Sequence, residues 1–406
     1  MKIGMFTDTY FPQLSGVSTS IKVLTEELRQ QGHEVIIFTT TDPKAQPEPD
    51  VVRVASIPFL SFSDRRIAYR GFDRCLKIAR SMDIDIIHTH TEFSMGLAGK
   101  YVASRLNIPN VHTYHTMYEN YTHYILDGLL VQASHVRLLS RQYCNLSDGV
   151  IAPSQLTKDT LLSYGINVPI RIIATGVVIP PYDPQAADNL RGQLGITKDE
   201  KVLLSLSRLS KEKNIIQVLE TYRKLQESHD HLRLVVAGDG PERETLENYN
   251  RKYQLDIEFV GFVDHDHVGT YYQMADLYLN ASDSESQGLT YLEAIVNRCP
   301  IIAKRNDYLE TIITQTEFGV LFDDQYSMVE ASQDFLDQID QGKVHEINPE
   351  CLYDLSSGKF AESVMDYYQS LIQMHRHHDR GIFDAVFGKV KNVIREIVIG
   401  GKANAK

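Results

Sequence analysis

Two glutamates eight positions apart mark a segment suited to binding a ligand rich in hydroxyl and phosphate groups. Glu285 lies in the polar run SESQG at 284–288, and Glu293 lies in the helix predicted to follow it. The N–H groups at the start of such a helix favour an anion. Facing one cleft, the carboxylates could accept hydrogen bonds from sugar or ribose hydroxyls. The spacing equally allows a charge at a helix N-terminus and an ordinary surface glutamate.

A second group of residues could bind phosphate oxygens. Arg208 and Lys213 directly follow a predicted strand, and they offer a planar guanidinium and a compact ammonium charge. Gly16 lies in the loop 9–17, where a glycine lets backbone N–H groups approach an anion. That loop lacks the G-x-G-x-x-G pattern of dinucleotide-binding proteins. Surface ion pairs and a simple tight turn are the structural alternatives.

Histidines and tyrosines cluster between positions 111 and 124. His112, His115 and His123 could form a zinc site, but no cysteine is near and the spacing matches no standard zinc motif. A single histidine near a leaving group is the favoured interpretation. His88 and His90, on the preceding predicted strand, are expected to be structural or to support the residues of the site.

The elements that must position these residues are short apolar runs alternating with amphipathic stretches, a pattern typical of parallel, doubly wound α/β sheets. A helix is predicted from Ile21 to Gln31, and the pattern restarts after the Pro-rich linker 180–184. Two such halves suggest a ligand cleft at the carboxyl ends of the strands. The predicted domains are 1–178 and 179–358, followed by a return helix and a basic amphipathic tail at 359–406. The predicted strands are KIGMFTD, EVIIFTT, VVRVAS, DIIHTH, NVHTYH and GVIAPS, then KVLLSLS, LRLVVAG, IEFVGF, ADLYLNAS, PIIAK and GVLF.

Composition excludes several classes of protein. The 406 residues, 43% apolar and 23% charged, have an ordinary globular composition. Four dispersed cysteines argue against a disulfide scaffold or a cysteine-based zinc ribbon and fit a reducing compartment. No run of 18 apolar residues occurs, and the first residues do not resemble a signal peptide. The net charge of −12 argues against a general nucleic-acid binder.

Two basic segments could meet an anionic lipid surface. The tail from Ile382 to Val398 repeats apolar residues at i+3/i+4 spacing among cations, as expected of an interfacial membrane helix or of a helix docked on the protein. The other segment is either a lipid-facing patch or a solvated helix face. Its cations are Arg65, Arg66, Arg70, Arg74, Lys77 and Arg80.

In this order, the elements resemble retaining glycosyltransferases of the GT-B fold, of the group 1 type with an E-x7-E pair. The resemblance covers nearly the whole chain, and its motifs are Glu285/Glu293 around Gln-Gly-Leu, the upstream Arg208 and Lys213, and GDGPE at 238–242. The segments FTDTYFPQLSGVSTSI, HTYHTMYENYTHYI and SRQYCNLSDGVIAPS are similar to bacterial glucosyltransferases acting on diacylglycerol or glucosyl-diacylglycerol. The implied architecture is two Rossmann-like parallel-sheet domains facing a cleft, the first for the acceptor and the second for a nucleotide sugar.

The resemblance also implies roles for the matched residues. Arg208 and Lys213 would clamp the diphosphate, and Glu293 would bind the ribose. Glu285 would contact donor-sugar hydroxyls, and His115 would be the cleft histidine. The other donor-binding positions are Gly16, Gly238, Phe262, Val263, Gln287, Gly288 and Leu289. No metal or cofactor is expected, because the cationic pair and helix N–H groups would stabilise the leaving diphosphate.

The implied reaction moves glucose from UDP-glucose to 1,2-diacylglycerol with retention, giving monoglucosyl-diacylglycerol for glycolipid and lipoteichoic-acid anchor synthesis. The implied partners are the nucleotide sugar, a diacylglycerol or glucosyl-diacylglycerol acceptor and an anionic membrane, with no nucleic acid. We expect a cytoplasmic protein, peripheral on the inner face of the cell membrane. Addition of a second hexose to glucosyl-diacylglycerol, or transfer to a soluble or polysaccharide acceptor, is the alternative.

Two other functional classes are weighed against this one. A retaining glycosidase would use Glu285 and Glu293 as its carboxylate pair, but neutral glycosides need no diphosphate clamp. A catalytically inactive sensor of sugar nucleotides would keep the binding residues alone, and the full set of charged residues disfavours it.

Overall fold

The computed structural model describes residues 1–13, 15–59, 62–115, 133–282, 288–313, 315–343 and 347–375. Its contacts divide the chain into two compact units. The first unit is Met1–Thr175 together with the described residues from Ser357 onward, and the second is Gly176–Ser356. Within these ranges, none of the helices combines the length and the apolar composition that crossing a bilayer requires.

The elements of the described chain alternate between strands and helices. The strands are β1 (Lys2–Phe6), β2 (Glu34–Thr40), β3 (Val51–Val54), β4 (Ser56–Phe59), β5 (Phe62–Ala68), β6 (Ile86–Thr89), β7 (Asn110–Thr113), β8 (Gly149–Ala152), β9 (Ile170–Ile172), β10 (Lys201–Leu206), β11 (Leu232–Ala237), β12 (Ile257–Gly261), β13 (Leu277–Asn280), β14 (Ile301–Lys304) and β15 (Gly319–Phe322). The helices are α1 (Gly16–Gln30), α2 (Phe72–Ser81), α3 (Ser94–Leu106), α4 (Ala133–Cys144), α5 (Gln155–Ser163), α6 (Pro184–Gln193), α7 (Ile215–Leu225), α8 (Arg243–Tyr253), α9 (His265–Met274), α10 (Leu289–Val296), α11 (Asp307–Ile312), α12 (Gln325–Asp340) and α13 (Ser357–Met374). Short 3-10 helices span Lys211–Lys213, Thr316–Phe318 and Pro349–Leu355.

The first unit is built on a parallel sheet of order β3-β2-β1-β6-β7-β8-β9. Successive strand residues point to opposite faces, so Ile3 and Met5 pack under α1 and α13. Phe6 and Phe38 lie in the core under α2 and α3 on the other face. Both faces are covered, which is why these strands are nearly continuous apolar runs.

The second unit repeats this design in a sheet of order β12-β11-β10-β13-β14-β15. Val202 and Leu204 pack into the core that includes α9 and α10, and Leu203, between them, packs into the core that includes α7 and α12. Both units are parallel sheets with helices on both faces. The predicted fold class of two doubly wound α/β domains is therefore confirmed.

Two local predictions about helices were wrong. Helix α1 begins at Gly16, five residues before the predicted Ile21, because Ser15 forms a reciprocal cap with Ser18. The Ser15 side chain accepts a hydrogen bond from the Ser18 N–H at 3.1 Å, and the Ser18 hydroxyl accepts one from the Ser15 N–H at 2.8 Å.

The basic segment that starts at Arg65 does not form a single helix face. Arg66 lies on β5, which pairs with β4 in an antiparallel hairpin, and its guanidinium donates to the Ser56 hydroxyl and carbonyl. The following helix, α2, carries the exposed Arg74, Lys77 and Arg80. The predicted amphipathic tail lies outside the described residues.

Candidate functional site

The loops that leave the carboxyl ends of β10, β11 and β12 bring several predicted residues to one edge of the second sheet. We call residues 207–214, 238–242, 261–263 and 288–293 the second-unit edge. Arg208 is exposed, and its side chain makes no hydrogen bond or salt bridge with the residues that the structure describes. The loop backbone is nevertheless held, because the Ser210 N–H donates to the Arg208 carbonyl at 2.9 Å and the Lys213 N–H donates to the Ser210 carbonyl at 3.0 Å.

Gly238 joins the three loops of this edge. Its φ of +128° is unfavourable for other residues, and a Cβ there would lie 1.9 Å from the Ser207 carbonyl oxygen. Its N–H donates to the Gly261 carbonyl at 2.7 Å. Gly238 therefore holds the loop that carries Arg208 against the end of β12. Phe262, the next residue after β12, is 76% exposed, and Val263 is half-buried.

Helix α10 starts at this edge with Gly288 as its N-cap. Gly288 has a φ of +54°, and a Cβ there would meet the Tyr291 ring at 2.6 Å. Leu289 is the first helical residue, so this edge includes the N-terminus of a helix, where backbone N–H groups favour an anion. Glu285 and Gln287 fall outside the described residues, and their roles stay predictions.

Among the described acidic residues of the second unit, Glu293 has the most strongly shifted pKa. Burial raises the pKa of its carboxyl to about 7, and no hydrogen bond or ion pair reaches that carboxylate from the described residues. The hydroxyl of buried Tyr272 lies near enough to interact electrostatically with Glu293. A half-buried acid with a raised pKa is a candidate for a ligand site.

The first unit gathers a different set of residues, which we call the first-unit edge: residues 7–9, 88–91 and 112–115. His115 follows β7 and is 8% exposed. Its Nε2 lies 3.0 Å from Nδ1 of His90, which follows β6. Burial lowers the pKa of His115 to about 3, so its ring is neutral at physiological pH.

Asp8 organises the same edge after β1. Its carboxylate accepts hydrogen bonds from the Thr91 hydroxyl at 2.7 Å, the Met95 N–H at 3.0 Å and the Ser94 hydroxyl. Ser94 and Met95 start α3 and Thr91 lies in the loop before it, so Asp8 joins the loop after β1 to the start of that helix. Burial raises the pKa of Asp8. Gly16 is the exposed first residue of α1, where the loop after β1 ends.

The zinc alternative finds little support in the described chain. His112 Nδ1 lies 2.9 Å from the Thr89 carbonyl, and its Nε2 lies 3.2 Å from a carboxylate oxygen of Glu92, so both ring nitrogens are engaged. His123 is outside the described residues. Among those described, no three histidine, cysteine or acidic side chains are grouped as a metal ion would need.

The sequence predicted a structural or supporting role for His90 but not its partner. The parallel pairing of β6 with β7, with Thr89 opposite His112, brings the residues after both strands together. The usable signal was that the runs DIIHTH and NVHTYH both end in histidine. Without the strand order, however, nothing indicated that the two ends were neighbours.

Comparison with known proteins covers both units. The sequence model of Glycosyltransferase Family 4 matches residues 14–179, and that of Glycosyl transferases group 1 matches residues 186–345. Alpha-monoglucosyldiacylglycerol synthase of Streptococcus pneumoniae is 43% identical over 92% of this chain and 86% of its own length. The enzyme of that name from Acholeplasma laidlawii is 33% identical over 81% of this chain and 86% of its own. The crystal structure of Anabaena Alr3699/HepE with UDP and glucose has the same fold, with a TM-score of 0.69 and 16% identity over 91% of this chain and 100% of that one.

Proposed function

Because the chain belongs to the glycosyltransferases of family 4 and group 1, we propose that it transfers glucose from UDP-glucose to 1,2-diacylglycerol, giving monoglucosyl-diacylglycerol. The observation that carries the proposal is the 43% identity, over 92% of the chain, to a protein named alpha-monoglucosyldiacylglycerol synthase. The identity extends over both units, so it includes the regions that would bind donor and acceptor.

The second-unit edge would bind the nucleotide sugar. Arg208 and Lys213 would neutralise the diphosphate together with the first N–H groups of α10, which supplies the charge stabilisation that a metal ion otherwise gives. Glu293 would accept hydrogen bonds from the ribose hydroxyls. Phe262 offers an exposed aromatic face to the base. Glu285 and Gln287 would contact the donor sugar.

The stereochemistry follows from the bonds that change. The sugar is α-linked in UDP-glucose, and the relative's name specifies an alpha product, so the transfer would retain configuration. The bond from the anomeric carbon to the β-phosphate oxygen breaks, and a bond to the acceptor hydroxyl oxygen forms on the same face. The hydroxyl proton passes to the departing phosphate. Neutral His115 would contribute a hydrogen-bonding group of the first unit.

The acceptor would be reached at an anionic membrane surface on the cytoplasmic side. Helix α4 exposes Leu138 and Leu139, at 51% and 62%, next to the exposed Arg141. Helix α2 of the same unit buries Cys75 and Ala79 and exposes basic residues. Apolar and cationic side chains on exposed helix faces suit the boundary between headgroups and acyl chains. The basic tail would add to this contact.

Product formation from radiolabelled UDP-glucose tests the proposal. One vesicle set contains diacylglycerol and the other glucosyl-diacylglycerol, each mixed with anionic lipid. A monoglucosyl product from the first set supports the proposal. A diglycosyl product from the second set alone would move the enzyme to the second transfer step, and no lipid product in either set would indicate another donor or a soluble acceptor.

Removal of the tail tests the membrane contact separately. A protein ending at residue 379 should sediment less with anionic vesicles than the full chain, because it lacks the basic apolar stripe. Unchanged sedimentation would contradict a membrane role for the tail and leave the exposed faces of α2 and α4 as the contact.

A further inference from the structure

His90 and His115 form a buried pair at the ends of two neighbouring strands. Nδ1 of His90 lies 3.0 Å from Nε2 of His115, and the two rings stack with their centroids 5.3 Å apart. Burial lowers the pKa of both imidazoles. Each ring is therefore neutral at pH 7 and carries one N–H, so a single proton lies between the two facing nitrogens.

The second nitrogen of His90 decides which ring donates. His90 is 3% exposed, and its Nε2 has no hydrogen-bond partner among the described residues. A buried N–H without an acceptor is rarer and more costly than a lone pair without a donor. His90 therefore keeps its proton on Nδ1 and donates it to Nε2 of His115. The proton of His115 must then reside on its own Nδ1.

The orientation of the His90 ring is itself fixed. The His90 ring packs against the His88 ring, with centroids 4.0 Å apart. The backbone N–H of His90 donates to the Phe6 carbonyl at 2.9 Å. His88 is held at both nitrogens, 2.6 Å from the Tyr368 hydroxyl and 2.7 Å from the Thr113 hydroxyl. This packing leaves His90 little freedom to turn its Nδ1 away from His115.

From this geometry we infer that His90 is a positioning residue that fixes the tautomer of His115. With its Nε2 lone pair occupied by His90, His115 cannot take a substrate proton there, and its Nδ1–H can only donate. His115 is then a hydrogen-bond donor and not a general base. The inference rests on the proposed function only in placing His115 at the transfer site, where the departing phosphate takes the acceptor proton.

Two substitutions at His90 separate donation from packing. His90→Asn places an amide N–H near the position of Nδ1, whereas His90→Leu fills similar space and donates nothing. Nitrogen-15 NMR of the histidine-labelled full chain reports the protonated nitrogen of each ring, and His115→Gln assigns the His115 signals. We expect His115 to be protonated on Nδ1 in the wild type and in His90→Asn, and to populate the Nε2-protonated form in His90→Leu.

Kinetics provide the second measurement. Because a misplacement of about 1 Å can cost about 100-fold in rate, His90→Leu should lower kcat by about 10- to 100-fold. The KM for UDP-glucose should stay within about twofold, since donor binding is unaffected. His90→Asn should keep most of the wild-type kcat, because its amide N–H can replace the donor.

His112→Asn is the matched control, because His112 is equally buried but bonds to Thr89 and Glu92, and it should leave the His115 tautomer unchanged. Nε2-protonated His115 in the wild type, or an unchanged tautomer in His90→Leu, would overturn the inference. Failure of the proposed function would be visible separately, as a wild type that transfers no glucose but keeps the expected NMR signals.

Discussion

At the edge of the second sheet, Arg208 and Glu293 have no side-chain partner within the described chain, whereas at the edge of the first sheet several buried polar groups bond to one another. Glu293 and Arg208 make no hydrogen bond or salt bridge through their side chains within the described chain, although Glu293 is shielded from water enough to raise its pKa to about 7. Asp8, His88 and His112, by contrast, each hold two or more protein partners.

This difference indicates that the two units have different roles in substrate binding. Buried polar groups that satisfy one another fix a geometry before any substrate arrives. A partly buried acid without protein partners and an exposed cation can both gain partners when a ligand binds. The first unit therefore presents a preorganised surface, and the second presents a site that the nucleotide sugar completes.

The largest expected effect is on activity in the second unit. Arg208→Ala should lower kcat/KM for UDP-glucose by about 100- to 1,000-fold, because it removes a charge that stabilises the leaving diphosphate. The free energy of unfolding should change by less than about 0.5 kcal/mol, since the side chain is exposed. Steady-state kinetics and urea denaturation measure both. Arg251→Ala, an exposed arginine on α8, is the control that should change neither, and wild-type activity in Arg208→Ala would remove Arg208 from the site.

A buried lysine in the first unit should make stability rise with pH. Lys100 is 1% exposed, its Nζ donates to the Ser147 hydroxyl and faces the Tyr143 ring at 4.2 Å, and burial lowers its pKa from 10.5 to about 7. Between these values the unfolded chain binds more protons than the native one, so raising the pH stabilises the fold by up to about 4 kcal/mol.

Lys100→Met should remove this contribution. Hydrogen exchange of the α3 and β7 amides, corrected for intrinsic exchange rates, measures this from pH 7 to pH 10. Protection of these amides should rise with pH in the wild type and not in the variant. Lys77→Met, on the exposed face of α2, should keep the wild-type dependence. Equal pH dependence in Lys100→Met and wild type would show that Lys100 titrates as it does in the unfolded chain.

Glu293 should have the opposite pH dependence in the second unit. Its pKa rises from 4.5 to about 7, so between these values the native state binds more protons and stability falls as the pH rises, by up to about 3 kcal/mol. Glu293→Gln should remove this loss, as measured by hydrogen exchange of α10 amides from pH 4.5 to pH 8. Saturating UDP should reduce the loss in the wild type, because ribose hydroxyls stabilise the carboxylate.

Two comparisons make the Glu293 prediction specific. Glu244→Gln, on exposed α8, should keep the wild-type pH dependence. If UDP left the pH dependence of the wild type unchanged, the ribose role of Glu293 would be wrong even though its burial would still explain the pKa.

The smallest effect concerns the outer surface of the first unit. Replacing Leu138 and Leu139 with serine should weaken binding to anionic vesicles by about 10-fold, because less apolar area would enter the membrane boundary. Vesicle sedimentation measures this. Tyr326→Ser, a 67% exposed residue on α12 of the second unit, is the control. Equal loss in both variants would mean that α4 has no special part in the contact.

The sequence predicted the regular elements better than their details. Each strand proposed from an apolar run is present in the structure, because strands covered on both faces must be apolar along their length. The hairpin of β4 and β5 was missed because β5 carries charges at Asp64, Arg65 and Arg66. The three-residue edge strand β9, with Arg171 and Ile172 exposed, was missed because it is short and only partly covered. The start of α1 depended on a local cap that apolar periodicity does not report.

Some candidate site residues could be identified from the sequence, and other contacts only from the tertiary structure. The spacing of Glu285 and Glu293, and the Arg208/Lys213 pair, were recognisable in the sequence because each motif is local and its chemistry depends on residue type. The His90–His115 bond and the close approach of Gly238 to Ser207 were decided by the tertiary structure alone. They require strands distant in sequence to lie side by side, and strand order is set by the packing of the whole sheet and not by any one segment.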